Sequence, residues 1–245
     1  MRQNTRFNPT MCASPHIGHL YIALVNEREA HRSGGRFTVR IDDTQEAWIH
    51  RVGKKKMRQY EDEFRLTLSE FMDIDIWMRQ SEMPSIQDII ADTPIGDLIP
   101  APAFSPNVIA ELIPDPDPWL YPCTPFLTFE KVVWDYYGQI TWLIRGADLL
   151  TEAALYEFYS RMLKLRSVLQ IYLPRLRAES NRELTDSGGV NVSKINRTYT
   201  LQKQLDAFGV DDVLHKLELA CLVDPEKGFF LDNIKRYPIS REFIE

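Results

Sequence analysis

The stretch from Thr5 to Asp42 limits the fold more than any other part of the chain. "TRFNPT" has the composition of a short strand that ends at Pro9, and "HIGHLYIALVNEREAHRS" spaces its apolar residues as a helix does. A glycine pair then ends the helix, and "RFTVRID" alternates apolar and polar residues like a strand. This order predicts two parallel strands joined by a crossover helix.

Later segments continue the alternation. "IDIWMRQ" and "VLQIYLPRL" are predicted strands, and "MPSIQDIIADT" and "TEAALYEFYSRMLKL" are predicted helices. "FEKVVWDYYGQITWLIRG" predicts two further strands joined by a turn near Tyr137 and Gly138. Residues 47–71 have a helical pattern, as does the chain after Thr200 to about Val223, with a break at Gly209. Alternating strands and helices predict an α/β fold with a doubly wound parallel sheet.

Composition excludes several classes of protein. The 245 residues carry a net charge of −6, so no overall basic field favours nucleic acid. Three cysteines stand far apart, which predicts neither a zinc site nor a disulfide framework. No apolar run is long enough to span a membrane, and the polar N-terminus does not resemble a signal peptide. We therefore expect a cytoplasmic protein that does not bind membranes.

Two histidines, His16 and His19, flank an Ile-Gly pair at the predicted helix start. In α/β folds ligands bind where a strand leads into a helix, and a helix N-terminus favours phosphate. Two imidazoles at the mouth of a cleft could donate hydrogen bonds to phosphate oxygens, and Gly18 would let a flat base approach the backbone. The spacing alone is equally compatible with a helix start that carries two exposed histidines.

Three blocks together resemble the catalytic domain of class I glutamyl- and glutaminyl-tRNA synthetases. The first is "TRFNPTMCASPHIGHLYIALVNEREAHRSGGRFTVRIDDTQ", which contains the HIGH signature. The second, "DYYGQITWLIRGADLL", is most similar to the shortened relatives that glutamylate queuosine on tRNA(Asp). The third, "NVSKINRTYTL", stands where the family has its KMSKS-type loop. The resemblance implies a Rossmann-like class I synthetase catalytic fold with a parallel sheet and a short helical C-terminal stem.

The resemblance implies a ligase reaction in two steps. An amino-acid carboxylate attacks the α-phosphate of ATP, with Mg²⁺ as the partner of the phosphates, and pyrophosphate leaves. An acceptor hydroxyl then takes the aminoacyl group. Implied catalytic residues are His16, His19 and Lys194. Implied ATP-binding residues are Thr10, His16, Gly18, His19, Asp148, Ser193 and Lys194. Implied amino-acid-binding residues are Arg6, Thr10, Asp42 and Arg145.

Several positions depart from the family. A tyrosine and an asparagine of the glutamate pocket are Leu127 and Lys131 here, and the first lysine of the KMSKS-type loop is Asn191. Leu127 and Lys131 leave the amino acid open: glutamate or a related one. The zinc-binding cysteines of the queuosine-modifying relatives are missing, so we expect no zinc and no other metal held by the protein.

The expected catalytic domain covers residues 1–197, and a stem-like helical segment covers 198–245. A proline-rich acidic stretch at about 94–125, with nine of the fifteen prolines, stands where the family inserts its acceptor-binding subdomain. We therefore expect tRNA to bind weakly. Two alternatives stay open: a ligase that uses a small-molecule or carrier acceptor, and a non-catalytic nucleotide-binding paralogue. The sequence does not give the oligomeric state.

Overall fold

The computed structural model describes residues 2–91, 125–150, 152–166, 168–173, 177–178, 190–191, 200–221, 228–232 and 234. A five-stranded parallel sheet forms its centre, with the strand order β3-β2-β1-β4-β5. The strands are β1 (Thr5–Phe7), β2 (Phe37–Ile41), β3 (Ile76–Arg79), β4 (Trp142–Gly146) and β5 (Leu169–Leu173). The predicted α/β fold with a parallel sheet is confirmed.

Helices cover both faces of this sheet. They are α1 (Ile17–Arg32), α2 (Glu46–Val52), α3 (Lys54–Ser69), α4 (Ile86–Ala91), α5 (Pro125–Tyr137), α6 (Glu152–Met162) and α7 (Leu201–Cys221). Short 3₁₀ turns lie at Gln80–Glu82 and Ala147–Leu149, and strands β6 (Arg177–Ala178) and β7 (Val190–Asn191) form an antiparallel pair. Among the described residues, no helix is long and apolar enough to span a membrane.

The opening unit has the predicted order of β1, α1 and β2, with Arg6 opposite Thr38 in parallel register. α1 ends just before the glycine pair, and Gly34 has a φ of +70°. A Cβ on Gly35 would lie 2.0 Å from the Gln3 carbonyl oxygen, so only glycine fits there. The break predicted in the last helix is also present, since Gly209 has a φ of +76° inside α7.

The prediction of two strands in residues 129–146 is wrong for its first half. Residues 125–137 form helix α5, and only Trp142–Gly146 form a strand. Phe129, Val132 and Val133 are buried at helical spacing and pack with Tyr159 of α6 into an apolar cluster. Burial of this stripe outweighs the strand preference of the β-branched and aromatic side chains.

A second and larger apolar cluster lies on the other sheet face and joins α1, α3 and α7. Leu201, Val213 and Leu217 of α7 are fully or almost fully buried in it, and the Leu201 N–H donates to the Pro15 carbonyl at 2.8 Å. The start of α7 therefore packs directly beside the histidine loop. The predicted boundary at 197 falls outside the described residues and stays a prediction.

Candidate active site at the carboxyl edge of the sheet

The loop between β1 and α1 lies at the carboxyl edge of the sheet. The Asp42 N–H donates to the Pro9 carbonyl at 3.0 Å, and Thr10 forms a parallel bridge with Asp42. These two contacts hold the ends of β1 and β2 together, where parallel sheets bind ligands. The loop then delivers His16 to the N-cap of α1.

His16 and His19 cap the first turn of α1 together. His16 Nδ1 accepts from the Gly18 N–H at 3.1 Å, and His19 Nδ1 accepts from the His16 N–H at 3.3 Å. Their rings stack with centroids 3.7 Å apart, and the His19 ring lies 4.9 Å from that of Phe64. His16 is 9% exposed and His19 is partly buried, so part of the pair stays open to solvent.

Burial keeps both imidazoles neutral. It lowers the pKa of His16 to about 4, and burial with the neighbouring His16 lowers the pKa of His19 well below its ordinary value. Because each Nδ1 accepts a backbone N–H, each proton must be on Nε2. Two Nε2–H donors therefore remain at the N-terminus of α1, where the N–H groups of Gly18, His19 and Leu20 already donate to His16. The two ring donors and the positive end of the helix dipole suit phosphate oxygens.

This cap restricts the residue type at position 18. A Cβ at Gly18 would lie 3.0 Å from His16 Cε1 and 3.1 Å from its Nδ1, so a larger residue would push the ring away. The requirement for glycine comes from the histidine ring, a reason that the sequence pattern did not show.

Asp42 is a buried carboxylate at the end of β2. Its Oδ2 accepts from Thr10 Oγ1 at 3.4 Å and from the Gln45 amide, whereas Oδ1 has no hydrogen-bond partner among the described residues. Burial raises the pKa of Asp42. Glu130 of α5 lies near Asp42, and burial followed by that neighbouring charge raises the pKa of Glu130 to about 7. This corner of the site is acidic and suits an ammonium group.

Arg6 is held by a carboxylate that sequence reasoning missed. Its Nη2 donates to Asp135 Oδ2 at 2.7 Å, Arg40 Nη1 lies 3.0 Å from Asp135 Oδ1, and Tyr156 donates to Oδ2 at 3.0 Å. Burial alone would raise the pKa of Asp135, but Arg6 and Arg40 hold it below its ordinary value. Burial lowers the pKa of Arg40 to about 10. Two cations thus share one buried anion.

Arg145 lies near the end of β4 and is surrounded by polar side chains. Nη1 is 3.2 Å from Glu152 Oε2, and Nη2 donates to Gln170 Oε1 at 2.7 Å and to the Tyr172 hydroxyl at 3.0 Å. Lys131 Nζ lies 3.3 Å from the same Glu152 oxygen. The structure thus gathers Arg145 and Lys131 around a carboxylate that the sequence pattern did not single out.

Three predicted site residues fall wholly or partly outside the described residues. Ser193 and Lys194 belong to residues 192–199, which are not described. Asp148 lies in the 3₁₀ turn Ala147–Leu149 that follows β4, but its side chain is outside the described part. Within the described residues, no group of three or more His, Cys, Asp or Glu side chains could hold a metal ion.

Comparisons with known proteins show what the chain is similar to. Residues 3–82 match the family described as tRNA synthetases class I (E and Q), catalytic domain. The predicted resemblance is confirmed. Over 43 residues the chain is 54% identical to a glutamate–tRNA ligase of Thermus thermophilus, and over 40 residues it is 48% identical to one of Deinococcus radiodurans. These alignments cover 18% and 16% of this chain, and only 9% and 8% of those ligases.

Solved structures extend the likeness of fold beyond this segment. A glutamate–tRNA synthetase from Elizabethkingia anophelis aligns with a TM-score of 0.52 at 18% identity, covering 86% of this chain and 54% of that one. A tyrosyl-tRNA synthetase from Aeropyrum pernix aligns with a TM-score of 0.58 at 14% identity, covering 89% and 62%. The described chain has a class I synthetase fold. The likeness to the queuosine-modifying subtype stays a prediction.

Proposed function

We propose that this chain is a glutamyl-tRNA synthetase-like ligase that activates an amino acid with ATP and transfers it to an acceptor. The observation that carries the proposal is the pair of neutral, capping histidines beside a buried charged pocket at one edge of the sheet. The histidines supply donors for phosphate at the positive end of the α1 dipole, and the buried charged side chains supply partners for an amino acid.

ATP would lie along the loop from Thr10 to His19. The Nε2–H groups of His16 and His19, at the positive end of the α1 dipole, would hold the phosphates, and glycine at position 18 keeps the His16 ring in position. Mg²⁺ would come with the phosphates, since this ion keeps waters and commonly takes few protein ligands. Lys194 and Ser193, with Asp148, complete the proposed ATP site.

The amino acid would lie between β1, β2 and β4. Its ammonium fits the acidic corner at Asp42, and Thr10 lies beside that carboxylate. Arg6 and Arg145 border the same space from β1 and β4. One carboxylate oxygen then attacks the α-phosphorus of ATP, a new P–O bond forms, and the bond to the β-phosphate oxygen breaks. Pyrophosphate leaves with that electron pair, and the chain contributes positioning and charge stabilisation.

The acceptor is a separate part of the proposal. Weak binding of tRNA is expected from the net charge of −6 and from the acidic proline-rich stretch, which falls mostly outside the described residues. Five exposed cations lie on α2 and α3: Arg51, Lys54, Lys55, Lys56 and Arg58. They favour an RNA acceptor, whereas the reduced subdomain favours a small-molecule or carrier acceptor.

Exchange of labelled pyrophosphate into ATP tests the proposal. We expect exchange that depends on one or a few of the twenty amino acids, and Lys194→Ala should slow it without changing the far-UV circular dichroism spectrum. ATP binding without exchange would show instead a non-catalytic nucleotide-binding protein. Labelling of total tRNA with the activated amino acid then separates an RNA acceptor from a small one.

A further inference from the structure

A cavity of about 570 Å³ lies at the amino edge of the sheet, the edge opposite to the histidine loop. Four of the residues that line this amino-edge cavity come immediately before a parallel strand: Asn4, Arg36, Thr141 and Val168. Its volume is within the range that holds a small organic ligand. None of the residues proposed above to bind ATP or the amino acid lines it. The cavity is therefore separate from the proposed active site.

Hydrogen bonds between the strand starts hold the floor of the amino-edge cavity in place. The Asn4 N–H donates to Thr141 Oγ1 at 2.9 Å, and Asn4 Oδ1 accepts from the Arg36 N–H at 3.1 Å. The side-chain amide of Asn4 donates to the Gln139 carbonyl at 3.1 Å. Because the floor is already ordered, a ligand that binds there needs little rearrangement of the chain.

Three exposed arginines line the cavity: Arg2, Arg36 and Arg166. None of the described residues in its lining carries a carboxylate, although the whole chain has a net charge of −6. Within the described part of the chain, Arg2 and Arg36 form no ion pair. Arg36 does act at longer range on Asp75, which lies 2.8 Å from His31. The amino-edge cavity is therefore a locally positive space in an acidic protein.

Helices α1, α5 and α6 all end at this cavity, and their dipoles favour cations there. Each helix end carries about half a negative charge, which three guanidinium charges outweigh. One carbonyl near the end of each helix also accepts a backbone N–H at 2.9 Å: Ala30 from Gly35, Asp135 from Ile140 and Ser160 from Leu165. The helix ends thus explain part of the attraction of arginines to this edge, and an excess of positive charge remains.

One wall of the cavity is apolar and aromatic. It includes Val132 and Tyr136 of α5, with Ile140 and Leu165 from the loops that follow α5 and α6. Val132 and Ile140 are buried, whereas 36% of Tyr136 is exposed. A ligand that satisfies both the arginines and this wall combines an anionic group with an apolar or aromatic one.

We propose that the amino-edge cavity binds a small organic phosphate. The phosphate group pairs with Arg2 and Arg36, Arg166 adds positive charge, and the apolar part of the ligand packs against Tyr136 and Ile140. The planar donors of arginine match the oxygens of a phosphate, so arginines around one cavity select a phosphate over a neutral ligand. This binding site goes beyond the proposed function and does not depend on it.

Calorimetric titration of the full chain with phenyl phosphate tests the proposal. We expect saturable binding that Arg36→Gln weakens by about tenfold or more, since the substitution removes charge-assisted hydrogen bonds, and Arg2→Gln should act in the same direction. His16→Asn, at the other edge of the sheet, should leave this binding unchanged. Phenol and inorganic phosphate should each bind about tenfold more weakly than phenyl phosphate, because each lacks one of the two groups.

Arg161→Gln is the matched control, because Arg161 lies in the last turn of α6, is 78% exposed and does not line the cavity. It should leave the affinity for phenyl phosphate unchanged, and both variants should keep the thermal transition of the unaltered chain. Absence of saturable binding would overturn the proposal, as would an unchanged affinity in folded Arg36→Gln. Binding that is lost in His16→Asn but not in Arg36→Gln would place the ligand at the other edge and would also overturn it.

Two further ligands separate the proposal from its alternatives. Phenol that binds as tightly as phenyl phosphate would show a cavity that does not select phosphate, which contradicts the proposal. A 5′-phosphorylated RNA oligonucleotide should not bind in an Arg36-dependent way more tightly than phenyl phosphate does. If it does so, the arginines belong to an RNA-binding surface, and the small-ligand site is rejected.

Discussion

The two halves of the sheet build their parts of the site in different ways. In the first half, residues 3–82, the histidine rings accept backbone N–H groups within three residues of themselves. The second half, from α5 to β5, instead contributes side chains that pair with distant ones, such as Asp135 with Arg6 of the first half, 129 positions away. The family match covers the first half alone. The proposed phosphate site therefore depends on local contacts, whereas the charged side chains of the later half depend on how α5 and α6 pack against the sheet.

The largest expected effect concerns the stability of the second half. Asp135→Asn should lower the free energy of unfolding by about 3–5 kcal/mol, because it leaves Arg6 and Arg40 buried without their shared anion. Chemical denaturation measures the loss. Asp232→Asn is the control: Asp232 is 66% exposed in its pair with Arg32, so the loss should stay below about 1 kcal/mol. Equal losses would show that the buried cluster is not a structural centre.

A substitution at His16 separates its role as the N-cap of α1 from its proposed role in holding phosphate. His16→Asn should keep the helix, since asparagine also accepts N–H groups at an N-cap. It removes one Nε2–H donor, so the exchange rate should fall about 100-fold, with a smaller change in ATP affinity. Pyrophosphate exchange measures the rate, and titration with ATP measures the affinity. A stable variant that exchanges at the rate of the unaltered chain would remove His16 from the phosphate site.

Gly18→Ala probes the same cap with a smaller change. The added Cβ would lie 3.0 Å from His16 Cε1, so the ring must move by a few tenths of an ångström. We expect the exchange rate to fall about tenfold, because misplacement of a positioned group on this scale is costly. Ala147→Gly, in the turn after β4, is a comparable change outside this cap and should have a smaller effect. No loss of rate in Gly18→Ala would mean that the ring position is unimportant.

A separate effect is a pH dependence that arises at Glu130. Its pKa is raised from 4.5 to about 7, so the folded chain binds this proton more tightly than the unfolded chain does. Stability should therefore decrease as the pH rises from about 4.5 to about 7, and no further loss comes from this group above that range. Glu130→Gln should remove this slope in denaturation curves taken at several pH values. A slope that persists in the variant would assign it to another group.

Local sequence patterns predict the first half well. β1, α1 and β2 follow from apolar spacing and the glycine pair, and the resemblance identifies Arg6, Asp42 and Arg145 as residues of one region. The error at α5 arose because Val132, Val133 and Trp134 favour strands, although their burial follows a helical stripe. The spacing of Phe129, Val132 and Val133 was the signal that could have shown it.

Local sequence patterns could not predict which carboxylates pair with Arg6 and Arg145. Asp135 and Glu152 look like ordinary polar positions of amphipathic helices, and only the packing of α5 and α6 against the sheet brings them to Arg6 and Arg145. Arg40 is likewise one of several alternating residues of β2 until Asp135 is placed beside it. These ion pairs depend on tertiary packing, so the sequence alone did not predict them.

The central claim is that the neutral histidine pair and the charged pocket act together to form an aminoacyl-adenylate. The most direct measurement is pyrophosphate exchange by the unaltered chain and by His16→Asn, with each of the twenty amino acids. The account predicts exchange that requires an amino acid in the unaltered chain, and a rate lower by about 100-fold in the variant. Absence of amino-acid-dependent exchange in the folded, ATP-binding unaltered chain would contradict it.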